Sequence, residues 1–402
     1  MPIPDPRLPT PATSVCIIVE NLPVPFDRRV WQEARALRDA GFRVSIICPK
    51  GKGFERSRET LEGIEIYRHR IWEASRTPGY LAEYAWALAV ESFLALTIYW
   101  KTRFRILHAA NPPDTIFLVA LLFRVFGVRF IFDHHDLNPE LFEAKFSKRG
   151  FFYRLVCWAE RWSFRTATVS IATNQSYREI ALTRGGKKPE RVFVVRSLPA
   201  LKDVQRVPAQ PELREGKTFL VAYVGVMGDQ DGLDLLLESV EHIVRNQNRR
   251  DILFVLIGSG TELPRLQAHT AQKGLNDGVR FTGRIPDDEL AAYLSTADVC
   301  VAPDPSNPMN DKSTMNKILQ YMAFECPVVL YDLTEGRRSA EDSALYARPN
   351  NPKDFAAQVL KLLDSESLRR ELGRRGRQRI EQSLNWELEK RVLLAAYEKA
   401  LE

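Results

Sequence analysis

The sequence predicts an α/β protein made of two doubly wound domains, and three observations support this prediction. Short apolar strands alternate with helical stretches in both halves of the chain, as in a parallel sheet covered on both faces. The alternation stops around 198–216, where proline and charge are frequent, and then restarts. A length of 402 residues is comfortable for two domains of about 200 residues each. We therefore expect two domains joined by a linker.

Each predicted element has a local signal. The first helix is DRRVWQEARALRDAG, with Asp27 as its N-cap and Gly41 as its stop. The predicted strands of the first half are SVCIIVE, FRVSIICP, FRILHAA, RFIFDHH, TVSIAT and RVFVVRS. Those of the second half are FLVAYVG, DILFVLIGSG, GVRFTGR, DVCVAP and CPVVLYD, with helices at 232–247, 262–274 and 287–296. The last 50 or so residues are highly charged and are predicted to be helical.

Composition excludes several classes of protein. The start, MPIPDPRLPTPATS, lacks the apolar core of a signal peptide. The most apolar window, 81–100, carries Glu83 and Glu91, which argues against a bilayer span. The cysteines are scattered, which indicates buried thiols in a reducing cytoplasm and neither a disulfide framework nor a zinc site. They are Cys16, Cys48, Cys157, Cys300 and Cys326.

The net charge of +6 is unevenly distributed. Residues 1–200 hold 30 basic and 20 acidic side chains, and the remainder holds 27 and 31. Basic and aromatic residues alternate at 99–107 and 146–165. No nucleic-acid-binding signature accompanies them, so we expect no nucleic acid partner and favour docking to anionic lipid headgroups. A solvated helix face remains the alternative.

Glycines and an arginine follow three predicted strands of the second half. Ligands of open parallel sheets bind where the strands end. Glycines there let backbone N–H groups approach a phosphate. The spacing differs from G-x-G-x-x-G, which disfavours a nicotinamide site, and a tight turn is the alternative at each position. The candidate residues are Gly225 and Gly228 in YVGVMGDQDG, Gly258 and Gly260 in LIGSG, and Arg284 and Ile285 in FTGRIP; we expect DQD at 229–231 to be ordinary surface.

The segment DKSTMNKILQYMAFE predicts an amphipathic helix whose start suits an anion. Apolar side chains recur at helical spacing from Met315 to Ala323. Ser313 and Thr314 supply side-chain oxygens before the helix, for which ordinary capping is the alternative. Asn316, Lys317 and Gln320 lie along one stripe beside the apolar face. Together with the glycine-rich turns, this predicts a site for a nucleotide diphosphate.

In the first half, polar residues follow the strands in FIFDHHDLNPEL and NLPVPFDRRV. The first stretch predicts a polar constellation, and metal is disfavoured because adjacent histidines point in different directions. In the second stretch, one arginine can be solvated while the other steers an anion. The residues concerned are Asp133, His134, His135, Asp136 and Glu140 in the first, and Asn21, Arg28 and Arg29 in the second.

The order and spacing of these motifs over almost the whole chain resemble GT-B glycosyltransferases of the retaining family 4. The resemblance implies two Rossmann-like domains facing across a cleft. Acceptor binding is expected in 1–200, donor binding in 201–384, and a final helix at about 385–402 is expected to pack back on the first domain. No cofactor or metal is implied, because the leaving diphosphate itself assists a front-side reaction.

The same resemblance assigns roles to residues. His135 matches the histidine beside the donor sugar, with Asp136 next to it. At the positions of the family's two glutamates, this sequence has Lys312 and Gln320 instead. Gln320 is expected to contact ribose, and Asp311 to take over from the first glutamate. Lys317, with the amides of Thr314 and Met315, is expected to bind phosphate.

The expected function is transfer of a sugar from a nucleotide diphosphate sugar to a lipid-linked acceptor in cell-envelope or exopolysaccharide biosynthesis. UDP-sugars are favoured, and GDP-mannose stays open. The expected location is cytoplasmic and peripheral, at the inner face of the plasma membrane. Two alternatives remain: a nucleotide-sugar epimerase of the GT-B type, and a catalytically silent nucleotide-sugar-binding partner.

Overall fold

The computed structural model describes residues 13–70, 77–146, 149–201 and 204–402, and only the backbone of 77–84 and 144–146. The chain divides into two compact units. One runs to Ser197 and takes in Glu389–Glu402, and the other is Leu198–Leu388. The leader at 1–12, on which the signal-peptide expectation falls, lies outside the described residues.

The first unit contains an eight-stranded sheet in the order β3-β4-β2-β1-β5-β6-β7-β8. β1 pairs in parallel with both β2 and β5, so the strand order reverses there. The strands are β1 (Ser14–Ile18), β2 (Arg43–Pro49), β3 (Arg58–Leu61), β4 (Ile64–His69), β5 (Ile106–Ala110), β6 (Arg129–His134), β7 (Val169–Ala172) and β8 (Val192–Val194). The helices are α1 (Arg28–Asp39), α2 (Thr77–Thr102), α3 (Phe117–Arg124), α4 (Asn138–Phe146), α5 (Phe151–Thr166) and α6 (Gln175–Thr183).

The second unit contains a six-stranded parallel sheet in the order β11-β10-β9-β12-β13-β14, which reverses at β9. Its strands are β9 (Phe219–Val224), β10 (Ile252–Ile257), β11 (Val279–Gly283), β12 (Val299–Ala302), β13 (Val328–Tyr331) and β14 (Ala344–Ala347). Its helices are α7 (Leu233–Glu241), α8 (Leu263–Gln272), α9 (Asp287–Thr296), α10 (Asn316–Ala323), α11 (Thr334–Ala340), α12 (Pro352–Leu363) and α13 (Glu366–Gln382). A last helix, α14 (Trp386–Leu401), belongs to the first unit from Glu389 onward. The α/β fold with two sheets is confirmed.

Local signals explain most of these elements. Asp27 caps α1, since its side chain accepts a hydrogen bond from the Val30 amide at 3.0 Å. Every residue of β1 and β10 is buried, as expected of central strands covered on both faces. The buried side of α10 includes Ile318, Leu319 and Met322, as the helical spacing predicted.

An antiparallel hairpin at one edge of the first sheet departs from the predicted parallel pattern. β3 pairs antiparallel with β4, and Leu61 lies opposite Ile64. Glu62 and Gly63 form the two-residue turn, both with positive φ. Two such residues match the twist of a hairpin, so TLEGIEI carried a signal for it.

The predicted linker at 198–216 is largely packed on the second unit. Leu198 is buried, and Leu201, Val204 and Leu213 lie against that unit's core. The Val207 and Gln210 amides donate to Ser295 and Thr296 at 3.1 and 2.9 Å. The segment also contains a 3-10 helix at Pro211–Arg214, so its proline-rich and charged composition excluded neither a helical turn nor burial.

Ordinary capping of α10 by Ser313, the alternative to anion binding there, does not occur in the structure. α10 begins at Asn316 after Met315, whose side chain makes no capping hydrogen bond. Ser313 donates instead to the Met309 carbonyl at 2.8 Å. The first turn of α10 is therefore not satisfied by the Ser313 hydroxyl.

Two further expectations concern membrane-spanning helices and the state of the cysteines. Within that part of the chain, no helix combines the length and apolarity needed to cross a bilayer. All five cysteines are free, and Cys157 is half-buried while the others are buried.

Candidate active site residues in the two units

A buried polar cluster lies where β1, β5 and β6 of the first unit end. Asp133, on β6, is fully buried. Arg29, near the start of α1, places Nη2 3.2 Å from Asp133 Oδ1 and 3.1 Å from Glu33. His135, just past β6, has Nε2 2.6 Å from Asp133 Oδ2. The cluster joins a histidine to a carboxylate, and an arginine supports both.

The protonation of this cluster follows from burial and charge. Burial alone would raise the pKa of Asp133, but Arg29 and His135 outweigh it and hold that pKa well below its usual range. Burial alone would lower the pKa of His135, whereas the Asp133 charge raises it, with a net upward result. Burial raises the pKa of Glu33, with Arg29 opposing. At neutral pH Asp133 is thus ionised and attracts a proton to His135.

The proton on His135 decides its partner. Its Nε2 lies 2.6 Å from Asp133 Oδ2 and 2.8 Å from Arg29 Nε. A protonated Nε2 donates to the carboxylate, whereas a bare Nε2 accepts from the guanidinium. The ring therefore has a hydrogen-bond partner in either state, and its side chain is 16% exposed.

Asn111, which sequence reasoning missed, clamps the segment that carries His135. Its Oδ1 accepts from the His135 and Asp136 amides at 2.6 and 3.1 Å. Its Nδ2 donates to the Asp136 carbonyl and to Asp114, both at 2.8 Å. In the sequence, the signal for Asn111 is its position directly after FRILHAA, the strand that pairs with β6.

The predicted constellation splits into two groups. His134 is fully buried, with its ring 5.1 Å from Phe164 and its Nε2 3.4 Å from Glu160. Glu140 is also buried and accepts from Arg184 at 2.9 Å. Successive side chains of a strand point to opposite faces, which separates His134 from His135. Asp136 is half-buried, and burial raises its pKa.

The three acceptor-side candidates also divide. Asn21 and Arg28 are exposed. Arg29 is 10% exposed, and its Nη1 donates to the Val195 carbonyl at 2.9 Å. Arg29 thus holds the Asp133 cluster together, while acceptor contact by Asn21 and Arg28 remains a prediction.

The carboxyl and imidazole atoms of Glu33, His108 and Asp133 lie within 4.8 Å of one another, close enough to hold a metal ion. Arg29 already brings a positive charge to two of these residues. Metal independence remains a prediction. A measurement of transfer activity in the presence of excess chelator tests it.

In the second unit, Lys317 lies where β9 and β12 end. Its Nζ is 2.8 Å from Asp304 and 3.8 Å from Asp231. It also lies 4.8 Å from the ring centroid of Tyr223, and its side chain is 10% exposed. Burial raises the pKa of Asp231, with Lys317 opposing. The expectation that 229–231 is plain surface is wrong for Asp231, because that carboxylate turns toward Lys317.

The glycines of the second unit let neighbouring strand ends approach closely. The Gly225 amide donates to the Ile257 carbonyl at 3.0 Å, and the Gly258 amide donates to the Gly283 carbonyl at 2.9 Å. A Cβ at Gly258 would overlap the Gly225 carbonyl oxygen, and one at Gly260 would overlap that of Met227. Gly228 donates to Asp231 at 3.0 Å. Backbone packing explains these glycines, and phosphate contact remains a prediction.

The other donor-site candidates surround the start of α10 or follow β11. Both oxygens of Asp311 accept from Thr334, at 2.8 Å from its amide and 3.0 Å from its hydroxyl. A sugar contact by Asp311, which remains a prediction, would compete with these bonds. Asn316 and Arg284 are exposed, whereas Ser313, Thr314, Met315, Gln320 and Ile285 are half-buried.

Two family models match the chain, one for each unit. Residues 27–197 match the model described as a glycosyl transferase 4-like domain. Residues 218–365 match the model described as glycosyl transferases group 1.

Relatives and solved structures agree with these matches. The chain is 22% identical over 356 residues to a 2-deoxystreptamine glucosyltransferase of Streptomyces kanamyceticus, covering 84% of this chain and 89% of the relative. Its fold is similar to sucrose-phosphate synthase of Thermosynechococcus elongatus, with a TM-score of 0.79, 19% identity, and coverage of 94% and 96%. It is also similar to Anabaena HepE in complex with UDP and glucose, with a TM-score of 0.71, 15% identity, and coverage of 94% and 96%. The chain therefore belongs to the group 1 glycosyltransferases and has the GT-B fold.

Proposed function

We propose that this glycosyltransferase moves a sugar, with retention of configuration, from a UDP-sugar to a lipid-linked acceptor at an anionic membrane. The observation that carries the donor assignment is Lys317, held at the strand-order reversal of the second sheet beside the start of α10. A helix start and a cation both favour a diphosphate. The HepE structure contains UDP, which supports uridine over guanosine.

In the proposed reaction, the bond from the anomeric carbon to the diphosphate breaks while a bond to the acceptor oxygen forms on the same face. The acceptor proton passes to the leaving diphosphate. Lys317 and the amides of Thr314 and Met315 stabilise the charge that develops there. The first unit supplies His135, which contacts the sugar, and Asp133 sets its protonation. The proposal needs no metal.

The donor assignment is tested by calorimetric titration with UDP and GDP. We expect UDP to bind more tightly than GDP. Gln320→Glu should tighten UDP binding about three- to tenfold, because a carboxylate accepts a ribose hydroxyl more strongly than an amide does. The matched control is Gln267→Glu on the exposed side of α8. Equal affinities for wild type and Gln320→Glu would remove the ribose assignment.

Product analysis separates transfer from the two alternatives. A transferase releases UDP only with an acceptor, whereas an epimerase converts the nucleotide sugar alone. A silent binder retains UDP affinity with neither reaction. Release of UDP dependent on a lipid acceptor is the expected result.

Exposed aromatic side chains on one face of the first unit support the proposed docking to a membrane. Trp86, Phe93 and Trp100 on α2 are 54%, 69% and 59% exposed and repeat every seven residues, along one stripe. A second stripe on α5 exposes Phe151, Leu155, Trp158 and Trp162. Exposed apolar side chains of and just beyond α3 accompany them: Leu118, Leu121, Leu122, Val125 and Phe126.

The region of α3 contacts both α2 and α5, so the exposed side chains lie on neighbouring helices. The rings of Tyr99 and Phe126 lie 5.0 Å apart, and those of Phe117 and Trp158 lie 5.8 Å apart. Exposed apolar side chains concentrated on neighbouring helices are typical of a surface that binds a partner or a membrane.

The charge of this face favours an anionic membrane. In segments 85–105, 117–129 and 151–165, which are fully described, the only acidic residues are Glu91 and Glu160, and both are fully buried. The same segments expose eight basic side chains: Lys101, Arg103, Arg105, Arg124, Arg129, Arg154, Arg161 and Arg165. Each basic residue near an anionic surface contributes about 1 kcal/mol.

Vesicle sedimentation tests this surface. We expect recovery with phosphatidylglycerol vesicles to exceed that with phosphatidylcholine vesicles. Arg154→Glu/Arg161→Glu should weaken partitioning by at least about 2 kcal/mol, roughly 30-fold or more, because two attractive charges are lost and two repelled ones are added. Arg370→Glu/Arg374→Glu, on the exposed side of α13, is the matched control. Equal recovery with both lipids would count against docking to an anionic membrane.

A further inference from the structure

A buried hydrogen-bond chain connects the C-terminal helix to His135. The Tyr397 hydroxyl, on α14, lies 2.6 Å from His108 Nδ1 on β5. His108 Nε2 lies 3.3 Å from Asp133 Oδ2, the oxygen that also contacts His135. Tyr397 and Asp133 are fully buried, and His108 is 1% exposed. Tyr397 is therefore three contacts from the residue proposed to meet the sugar.

The charge on Asp133 favours one arrangement of the protons along this chain. His108 Nε2 faces an ionised carboxylate, so it carries the proton and donates. In the neutral ring Nδ1 is then an acceptor, and the Tyr397 hydroxyl is the donor to it. Burial raises the pKa of Tyr397 well above its usual value, which keeps the hydroxyl protonated. Tyr397 thus selects one tautomer of His108.

Other charged and titratable groups surround this chain. Arg29 and Glu33 on α1 face Asp133 and His108, with His108 Nε2 4.0 Å from Glu33. Asp27 lies within electrostatic range of Arg29, and Cys16 on β1 within range of Tyr397. Among the described residues near His108, the Tyr397 hydroxyl is the hydrogen-bond partner of Nδ1.

We propose that Tyr397 is a positioning residue for the transfer reaction, acting through His108 and Asp133 on His135. Its donation to Nδ1 makes Nε2–H of His108 a stronger donor to Asp133, because bonds in a chain polarise one another. Without the Tyr397 hydroxyl, Asp133 receives a weaker hydrogen bond from His108. Its negative charge then attracts the His135 proton more strongly. The inference rests on the proposed function for the role of His135, but its geometry is testable without activity.

Nitrogen and carbon NMR of labelled histidine provides that test. The chain has six histidines, so the signals can be assigned by substitution. We expect His108 to be the Nε2–H tautomer in the wild type. Tyr397→Phe should displace its Nδ1 resonance and raise the titration midpoint of His135 by about 0.5 or more. Tyr67→Phe, which removes a hydroxyl bonded to Glu65 at 2.7 Å in the same unit, should leave both unchanged.

Kinetics supply a second test. Tyr397→Phe should lower kcat about tenfold with the KM for the donor unchanged, as for loss of one buried hydrogen bond felt in the transition state. On a His108→Gln background, Tyr397→Phe should have no further effect. An unchanged His135 titration in Tyr397→Phe, or additive effects in the double variant, would overturn the proposal. If the NMR signals of His108 and His135 change as expected but the wild-type protein transfers no sugar, only the proposed function is overturned.

Discussion

Lys317 neutralises two carboxylates and so has both a stabilising and a binding role. Asp304 and Asp231 both face its ammonium group, and Asp304 is 2% exposed. A simple replacement would leave the buried Asp304 and the half-buried Asp231 without a cation, so any loss of binding would be mixed with a loss of stability. Separating the two requires a compensating change.

Lys317→Met should lower the free energy of unfolding by about 3 kcal/mol and weaken UDP binding about tenfold or more. Adding Asp304→Asn should restore much of the stability, because it removes a stranded charge, but not the binding. Denaturant unfolding and calorimetric titration measure the two effects. A double variant that binds UDP like the wild type would remove Lys317 from the phosphate site.

Asp114 couples the stability of the first unit to pH. Burial raises its pKa to about 6, despite hydrogen bonds from Asn111 and Asn138 at 2.8 and 2.9 Å. The folded protein therefore binds this proton more tightly than the unfolded chain. Between about pH 4 and pH 6, this residue makes stability fall as the pH rises, by at most roughly 3 kcal/mol.

Asp114→Asn removes the titrating group, so its unfolding free energy should decline less than that of the wild type between pH 4 and pH 6.5. Chemical denaturation at both values measures the difference. Asp39→Asn, at an exposed carboxylate, serves as the control and should keep the slope of the wild type. Identical slopes for Asp114→Asn and wild type would contradict the assignment.

At the scale of elements, the ends of β9 and β10 depend on glycine. Gly258 has φ +136°, and a Cβ there would overlap the Gly225 carbonyl oxygen. Gly283 also has positive φ, at +70°, but a Cβ there meets nothing within 4 Å. The two positions separate backbone strain from close approach.

Gly258→Ala should cost more than about 3 kcal/mol of unfolding free energy, since strain and overlap both act, and should weaken UDP binding. Gly283→Ala should cost only about 1 kcal/mol. Thermal and denaturant unfolding compare them. Equal costs would show that close approach of the two strand ends is not the constraint at Gly258.

Element by element, sequence patterns predicted what depends on neighbours in the chain. The spacing from Met315 to Ala323 predicted α10, and Asp27 predicted the start of α1. The β3–β4 hairpin was not predicted, because its turn lies in a charged stretch with few apolar residues. The packing of the linker was not predicted, because burial of Leu198 depends on distant residues.

At the scale of the whole molecule, the chain ends in the unit in which it began. Leu393, Ala396, Tyr397 and Ala400 of α14 are fully buried. The Tyr397 ring lies 5.7 Å from Phe42, and Glu389 accepts from Arg196 at 3.0 Å. The first unit is thus completed by residues far away in sequence.

A chain ending at Leu388 should lose about 5 kcal/mol from burial of Leu393 and Tyr397 alone. We expect its first unit to melt well below that of the wild type, or to be unfolded. A chain ending at Ala400, which loses only the last two residues, is the control. Calorimetry and limited proteolysis distinguish them, and equal melting would show that α14 is dispensable.

The sequence by itself determined the class of the fold, most strands of both sheets, and the strand ends where ligands are expected, whereas β3, β4 and β14 were not among the predicted strands. These follow from apolar periodicity, turn residues and local capping, all of which act over a few residues. Only the tertiary structure decided that His135 shares a carboxylate with Arg29 and His108, that His134 turns away, that Asp231 faces Lys317, and that Tyr397 closes the chain of contacts. Those contacts join residues up to 289 positions apart, and only burial in the folded chain brings such groups together.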